Sequence, residues 1–250
     1  MIRLNKNKNI GSVIYIVEGE KTEQYIIKRI FNELLEYELI QVNTTNGIKR
    51  FRSKTNKYSR ITIITSKHPQ IVSLEKYDDY FDNIYQKLAI EYGLDVENSA
   101  IYYIFDRDRQ SNPVSVIKRL INKYYNAYDN NNEMNGVLLL SYPSIEAYYL
   151  NGYNSKQEFG VAKDAKRYIR RLHYDVIDQK VLKNSCRNMI NTLSKKFNFR
   201  YNNDVLDDFK EINELIFDKE ESYYLSKNKY ITLSSLSFSL LDLGVIEIIK

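Results

Sequence analysis

The sequence predicts an α/β fold: a mostly parallel β-sheet flanked by helices, with a helical extension at the C-terminal side. Three observations predict it. Short apolar runs rich in β-branched and aromatic residues, "VIYIV" (13–17), "ITIIT" (61–65), "IYYIF" (101–105) and "GVLLL" (136–140), have the length and composition of strands buried on both faces. Stretches with helical spacing of apolar residues lie between them. Alternation of the two patterns is the mark of βαβ units and a parallel sheet.

Each element has its own reason. Val13–Val17 is a short apolar run. A helix follows from Thr22 to about Tyr37, where Tyr25, Ile26, Ile30, Leu34 and Tyr37 recur at helical spacing. Leu39–Val42 is read as a second strand and Ile61–Thr65 as a third. Leu74 to Tyr92 is read as a helix that stops near Gly93, a suitable C-cap residue. After the strand Ile101–Phe105, Asn112 is placed as N-cap and Pro113 at the first position of a helix to about Tyr125. Gly136–Leu140 is the last buried strand, and a short helix covers about Ser144–Leu150. The α/β domain therefore spans about residues 10–150. Residues 151–250 have helical patterning without strand alternation and are read as a helical C-terminal region.

Composition narrows the chemistry. The 250 residues are 43% hydrophobic and 28% charged, ordinary for a folded domain, with a net charge of +5. Cys186 is the sole cysteine, and His68 and His173 are the only histidines. A disulfide framework and a thiolate or histidine-rich metal site are thereby excluded, so any metal must be held mainly by oxygen. The N-terminal segment has no apolar signal-peptide core, and no apolar run reaches the ~20 residues of a membrane helix. The expectation is a cytoplasmic protein with no membrane partner.

Acids follow the buried strands. Val17 leads into Glu18-Gly19-Glu20-Lys21-Thr22-Glu23, Phe105 into Asp106-Arg107-Asp108, and Leu140 into a segment that ends in Glu146. Ligands of open α/β sheets bind outside the carboxyl ends of the strands. If the strands are neighbours, Glu18, Asp106 and Asp108 converge there. Clustered carboxylates repel, and a hard divalent cation such as Mg²⁺ or Mn²⁺ removes that cost. In an extended Asp106-Arg107-Asp108 both aspartates face one side and Arg107 the other. Gly19 permits a tight turn or a close approach. A plainer account exists for Glu20, Glu23 and Glu146, because acids in the first turn of a helix are favoured by its dipole.

These segments, "IYIVEGEKTE", "FDRD" and "SYPSIEAYYL" at 141–150, resemble the TOPRIM signature. They are closest to its RloB-like branch, related to nucleases of the OLD class. The resemblance covers residues 12–150. It departs from the branch at Ile145 and Tyr148, where Phe and Trp are usual. It implies a Rossmann-like TOPRIM sheet and a Mg²⁺- or Mn²⁺-dependent nuclease that cleaves DNA or RNA, tRNA included, in anti-phage or abortive-infection defence. Carried over by position, Glu18 is the signature glutamate, acting as metal ligand or general base. Asp106 and Asp108 are the metal-binding pair. Glu23 is the second acid of the branch motif and Glu146 the late acid. Lys21 is the candidate for stabilising the transferring phosphate, with Lys163 and Lys166 as alternatives. The resemblance also implies an ABC- or SMC-like ATPase partner. The chain itself has no G-x-x-x-x-G-K-[ST] loop. A homo-oligomer is compatible with it, and a non-catalytic sensor or binding subunit is the alternative reading.

Charge is segregated along the chain. "KRFRSKTNKYSR" (49–60) has six basic residues and no acid, and Lys163–Arg200 has eleven basic residues against three aspartates. Lys49, Arg50, Arg52, Lys54, Lys166, Arg167, Arg170 and Arg171 are the candidate nucleic-acid contacts, since basic side chains neutralise phosphates. Asp204–Ser222 has eight acids against two lysines and is expected to be a solvated helix face.

Overall fold

The structure is a computed structural model that describes residues 1–19, 21–43, 47–65, 86, 88–90, 92–107, 109, 113–129, 136–202, 206 and 209–249. Its strands are β1 (Ile2–Leu4), β2 (Ser12–Val17), β3 (Tyr37–Asn43), β4 (Ile48–Ser53), β5 (Arg60–Thr65), β6 (Ser99–Asp106), β7 (Tyr125–Asn126), β8 (Gly136–Tyr142), β9 (Leu233–Ser234) and β10 (Ile246–Ile248). Its helices are α1 (Thr22–Lys28), which runs into a π-helical segment Arg29–Leu34, then α2 (Val114–Lys123), α3 (Ala147–Gly152), α4 (Ala162–Leu172), α5 (Gln179–Lys196), α6 (Phe209–Lys227) and α7 (Leu236–Asp242).

The central sheet has the order β3-β4-β5-β2-β6-β8-β7, with β9 also on β8. Its middle strands β5, β2, β6 and β8 are parallel, and the flanking β3, β4, β7 and β9 are antiparallel. The apolar runs occupy the middle because they are covered on both faces: Val13–Val17 are at most 1% exposed, and every residue of β6 and β8 is buried. Neighbouring tyrosines show the two faces. Tyr102 stacks on Tyr15 at 5.3 Å, and Tyr15 meets Phe31 of the π-helical segment and donates to Ser239 Oγ of α7. Tyr103 points the other way, to Tyr124 at the end of α2. Gly136, at φ 142°, is the residue that lets Tyr103 lie there, since a Cβ would stand 2.2 Å from its ring.

The chain leaves β2 for β5 on one side, then crosses to β6 on the other. The sheet therefore has its topological switch point between β2 and β6, the place where open α/β sheets form a crevice.

Several expectations shift. Pro113 is extended (ψ 145°) and is itself the cap, so α2 starts at Val114. The expected N-cap Asn112 and most of the expected helix 74–92 lie outside the described residues, although residues 86 and 88–90 are helical and Gly93 has the left-handed φ of a C-cap. The basic stretch after Gly47 includes a strand, β4. Residues 151–250 are not a separate appendage. Their apolar side chains join the same continuous core, β9 extends the main sheet, and β10 pairs with β1 at the N-terminus. Strands of two or three residues leave no alternation to detect. No helix among the described residues is long and apolar enough to cross a membrane.

A carboxylate cluster at the strand ends

Register brings the strand-end acids together. Val17 of β2 lies beside Ile104 of β6, and Asp106 beside Ser141 of β8. Glu18, the next residue after β2, is tied to β6 twice: its N–H donates to the Ile104 carbonyl at 3.3 Å, and its Oε2 accepts from the Asp106 N–H at 3.0 Å. The two acids thus flank the switch point. Asp106, 8% exposed, accepts at Oδ1 from the Ile145 N–H at 2.8 Å. That bond docks the "YPSIE" turn, and Ser144 then donates to Glu146 Oε2 at 2.8 Å. Glu23, in the first turn of α1, folds back over Gly19. A Cβ on residue 19 would stand 2.7 Å from the Glu23 carboxylate. A side chain there would make the Glu23 carboxylate shift.

A cation comes from far along the chain. Lys166 of α4 places its Nζ 3.8 Å from Asp106 Oδ2 and 4.0 Å from Glu146 Oε2. Glu18, Glu23, Asp106 and Glu146 thus share one ammonium group. Burial first, then the charges of Glu23, Glu18 and Glu146, hold Asp106 well above the usual carboxylate range. Burial likewise raises Glu23, against its own and the Gly19 backbone N–H groups. Burial alone would lower Lys166, but Glu146, Asp106, Glu23 and Glu18 outweigh it and raise the lysine above its ordinary value.

The donor chemistry suits a hard divalent cation. All four acids offer oxygen, and the neighbouring carboxylates add to burial in raising Asp106 even with Lys166 present. As placed, their oxygens are engaged by backbone N–H, hydroxyl and ammonium donors. Among the described residues no group of three or more His, Cys, Asp or Glu side chains is arranged to hold a metal ion.

The other candidate residues are dispersed. Asp108 and Glu20 lie outside the described residues. Lys21 is exposed at the start of α1, without an ion pair to the cluster, so Lys166 is the lysine at the acids. Lys163, Lys166, Arg167 and Arg170 line an open groove of about 400 Å³ along α4, and Arg171 is exposed on the same helix. The first basic segment is spread over β4. Lys49 lies toward the carboxylate end of the sheet. Arg50 donates to the Tyr92 carbonyl. Arg52 and Lys54 lie at the opposite end of the sheet, where Arg52 pairs with Glu38 at 2.7 Å. Of the remaining candidates, His173 is an exposed left-handed C-cap, and Cys186 is buried with its thiol pushed up to about 12.

A buried pair under the cluster escaped the sequence reading. Arg107, fully buried, points away from Asp106, as strand alternation requires. Its Nε donates to Glu221 Oε1 of α6 at 2.9 Å, and its guanidinium lies 5.4 Å from the Phe217 ring. Arg109 adds a contact to Glu221 Oε2 at 3.7 Å. The acidic segment is therefore not simply a solvated face: Glu220 and Glu221 are buried while Glu211 and Asp218 are exposed. The signal available beforehand was the apolar set Phe209, Ile212, Ile216 and Phe217, whose helical face also carries Glu220.

Compared with known proteins, the chain matches no family model, no curated protein and no solved structure.

Proposed function

We propose that the chain is a metal-dependent nuclease of the TOPRIM kind, with its centre at the carboxyl ends of β2, β6 and β8. The observation that supports this most is the bond from the Asp106 N–H to Glu18 across the switch point, with Glu23, Glu146 and Lys166 in the same cluster. Glu18, Glu23, Asp106 and Glu146 would hold Mg²⁺ or Mn²⁺, with Asp108 added by resemblance. Such an ion supplies positive charge to a phosphate and makes a nearby water more acidic. The chain's own groups do the rest. Lys166 meets the charge that develops on the phosphate oxygens, and Lys163, Arg167 and Arg170 neutralise the flanking backbone. Docking of Ile145 on Asp106 holds Glu146 in place. A role in anti-phage defence, in the cytoplasm and under a partner ATPase, completes the proposal.

One observation favours a second reading, a non-catalytic nucleic-acid-binding subunit: Lys166 already sits beside Asp106 and Glu146, and among the described residues no ready-made three-ligand group is present. Incubation with DNA and RNA panels in Mg²⁺ and Mn²⁺, alongside Asp106→Asn and Glu18→Gln, separates the two. Asp106→Asn is expected to lower cleavage at least about a hundredfold, the size of several kcal/mol of lost charge stabilisation. Equal cleavage by both variants and wild type would end the nuclease reading. Binding without cleavage, and no metal uptake by calorimetry, would establish the second.

A further inference from the structure

A separate cleft of about 550 Å³ opens between the end of α3, the loop after it, and α5. Its wall carries four asparagines, three of which, Asn151, Asn154 and Asn188, are joined by hydrogen bonds, and three lysines, Lys156, Lys195 and Lys196. The amides are fixed in place. Asn188 Nδ2 donates to the Asn151 carbonyl at 2.6 Å and to Asn154 Oδ1 at 2.7 Å. Asn151, 5% exposed, donates from Nδ2 to the Thr232 carbonyl at 3.0 Å. Asn151 Oδ1 is buried with no donor among the described residues. A buried acceptor left without a donor costs about 1–3 kcal/mol, so a site that brings an N–H group to it is favoured. The lysines are exposed, and none has an ion pair among the described residues. Glu158 is the acid of the wall, and its Oε2 is occupied by the Tyr223 hydroxyl at 2.9 Å.

Side-chain amides read the donor–acceptor edges of planar nitrogen heterocycles, and lysines bind phosphate as point charges. The volume lies within the range of small-molecule sites. We propose that this cleft binds a nucleotide, its base edge against the asparagine wall and its phosphate against Lys195, Lys196 and Lys156. The nucleotide is either free or one unit of a single-stranded nucleic acid. The inference is independent of cleavage at the carboxylate cluster.

The test is a binding titration in EDTA, so that no metal chemistry intervenes. The probes are the four nucleoside monophosphates, a single-stranded hexanucleotide and inorganic phosphate. The proteins are wild type, the exposed double variant Lys195→Ala/Lys196→Ala, Asn154→Ala, and Lys118→Ala as a control lysine away from the cleft and from the carboxylate cluster. Saturable binding of at least one nucleotide probe is expected. The double variant should weaken it at least about tenfold, the loss of one charged hydrogen bond. Asn154→Ala should change the order of preference among bases, and Lys118→Ala should change neither affinity nor preference. Binding of monophosphates identifies a free-nucleotide site, and binding of the hexanucleotide alone identifies a nucleic-acid subsite. The proposal is overturned by no saturable binding, by phosphate binding as tightly as the nucleotides, or by affinity unchanged in the double variant. Affinity lost as strongly in Lys118→Ala would also overturn it.

Discussion

Two regions of the molecule bury acids, and they do so in opposite ways. At the strand ends Glu18, Glu23, Asp106 and Glu146 face one ammonium, that of Lys166. On α6, Glu221 faces two guanidinium groups, those of Arg107 and Arg109. The first arrangement has excess negative charge and is satisfied only by taking up protons or a cation. The second gives its one carboxylate a cation at each oxygen and serves to fix position. Both depend on one short segment. Asp106 ends β6 facing the cluster and Arg107, one residue later, faces Glu221, so α6 anchors the strand end that carries the central acid. Acids in excess of cations mark where chemistry is expected, and an acid fully paired with cations marks what holds that place still.

The largest expected effect tests the matched side. Glu221→Ala removes the carboxylate that pairs with buried Arg107 and should cost about 3–5 kcal/mol in urea unfolding. Replacing both together, as Arg107→Met with Glu221→Leu, should recover much of that. A loss below about 1 kcal/mol for the single variant would contradict a buried pair.

A smaller effect is expected at the unmatched side. Lys166 is partly exposed, so solvent screens it, and Lys166→Met should lower stability at neutral pH by only about 1 kcal/mol. The attraction needs ionised carboxylates, so the loss should fade as pH falls and the raised acids, Asp106 first, take up protons. An effect constant from neutral to acid pH would show that lysine packing, not charge, is responsible.

The smallest effect concerns Glu220, next to the pair but unmatched. Burial holds its carboxyl well above the ordinary 4.5, against the Ile231 N–H that bonds its Oε2 at 2.9 Å. A raised acid binds its proton more tightly folded than unfolded. Its contribution is therefore full below about 4.5 and declines as pH rises from there through the folded value. Glu220→Gln keeps an oxygen for Ile231 and removes the titration. Its melting temperature should fall less than that of wild type as pH is raised above about 4.5. Parallel curves for the two proteins would rule out a buried titrating Glu220.

Legibility followed burial and spacing. The runs at 13–17, 101–105 and 136–140 could be read as buried strands because each is a short continuous apolar run that alternates along the chain with helical patterns. The acids after them could be read as one group because parallel neighbours end on the same side. Lys166 could not be assigned in this way. It lies twenty residues past Glu146, beside other basic residues of the same helix, and nothing local separates it from Lys163 or from Lys21. The pairing of Arg107 with Glu221 joins residues 114 positions apart, and no local pattern carries that information.

By itself the sequence determined a sheet of apolar strands with carboxylates gathered at one end, because strand periodicity and burial are local properties. Only the tertiary structure decided the rest. It placed β2 beside β6 at the switch point, chose Lys166 as the cation among the acids, and buried Glu220 and Glu221 in an otherwise acidic helix. It also built the asparagine and lysine cleft from two helices and a loop. Each of these depends on which distant surfaces exclude water from one another, and that is settled only when the whole chain packs around a single core.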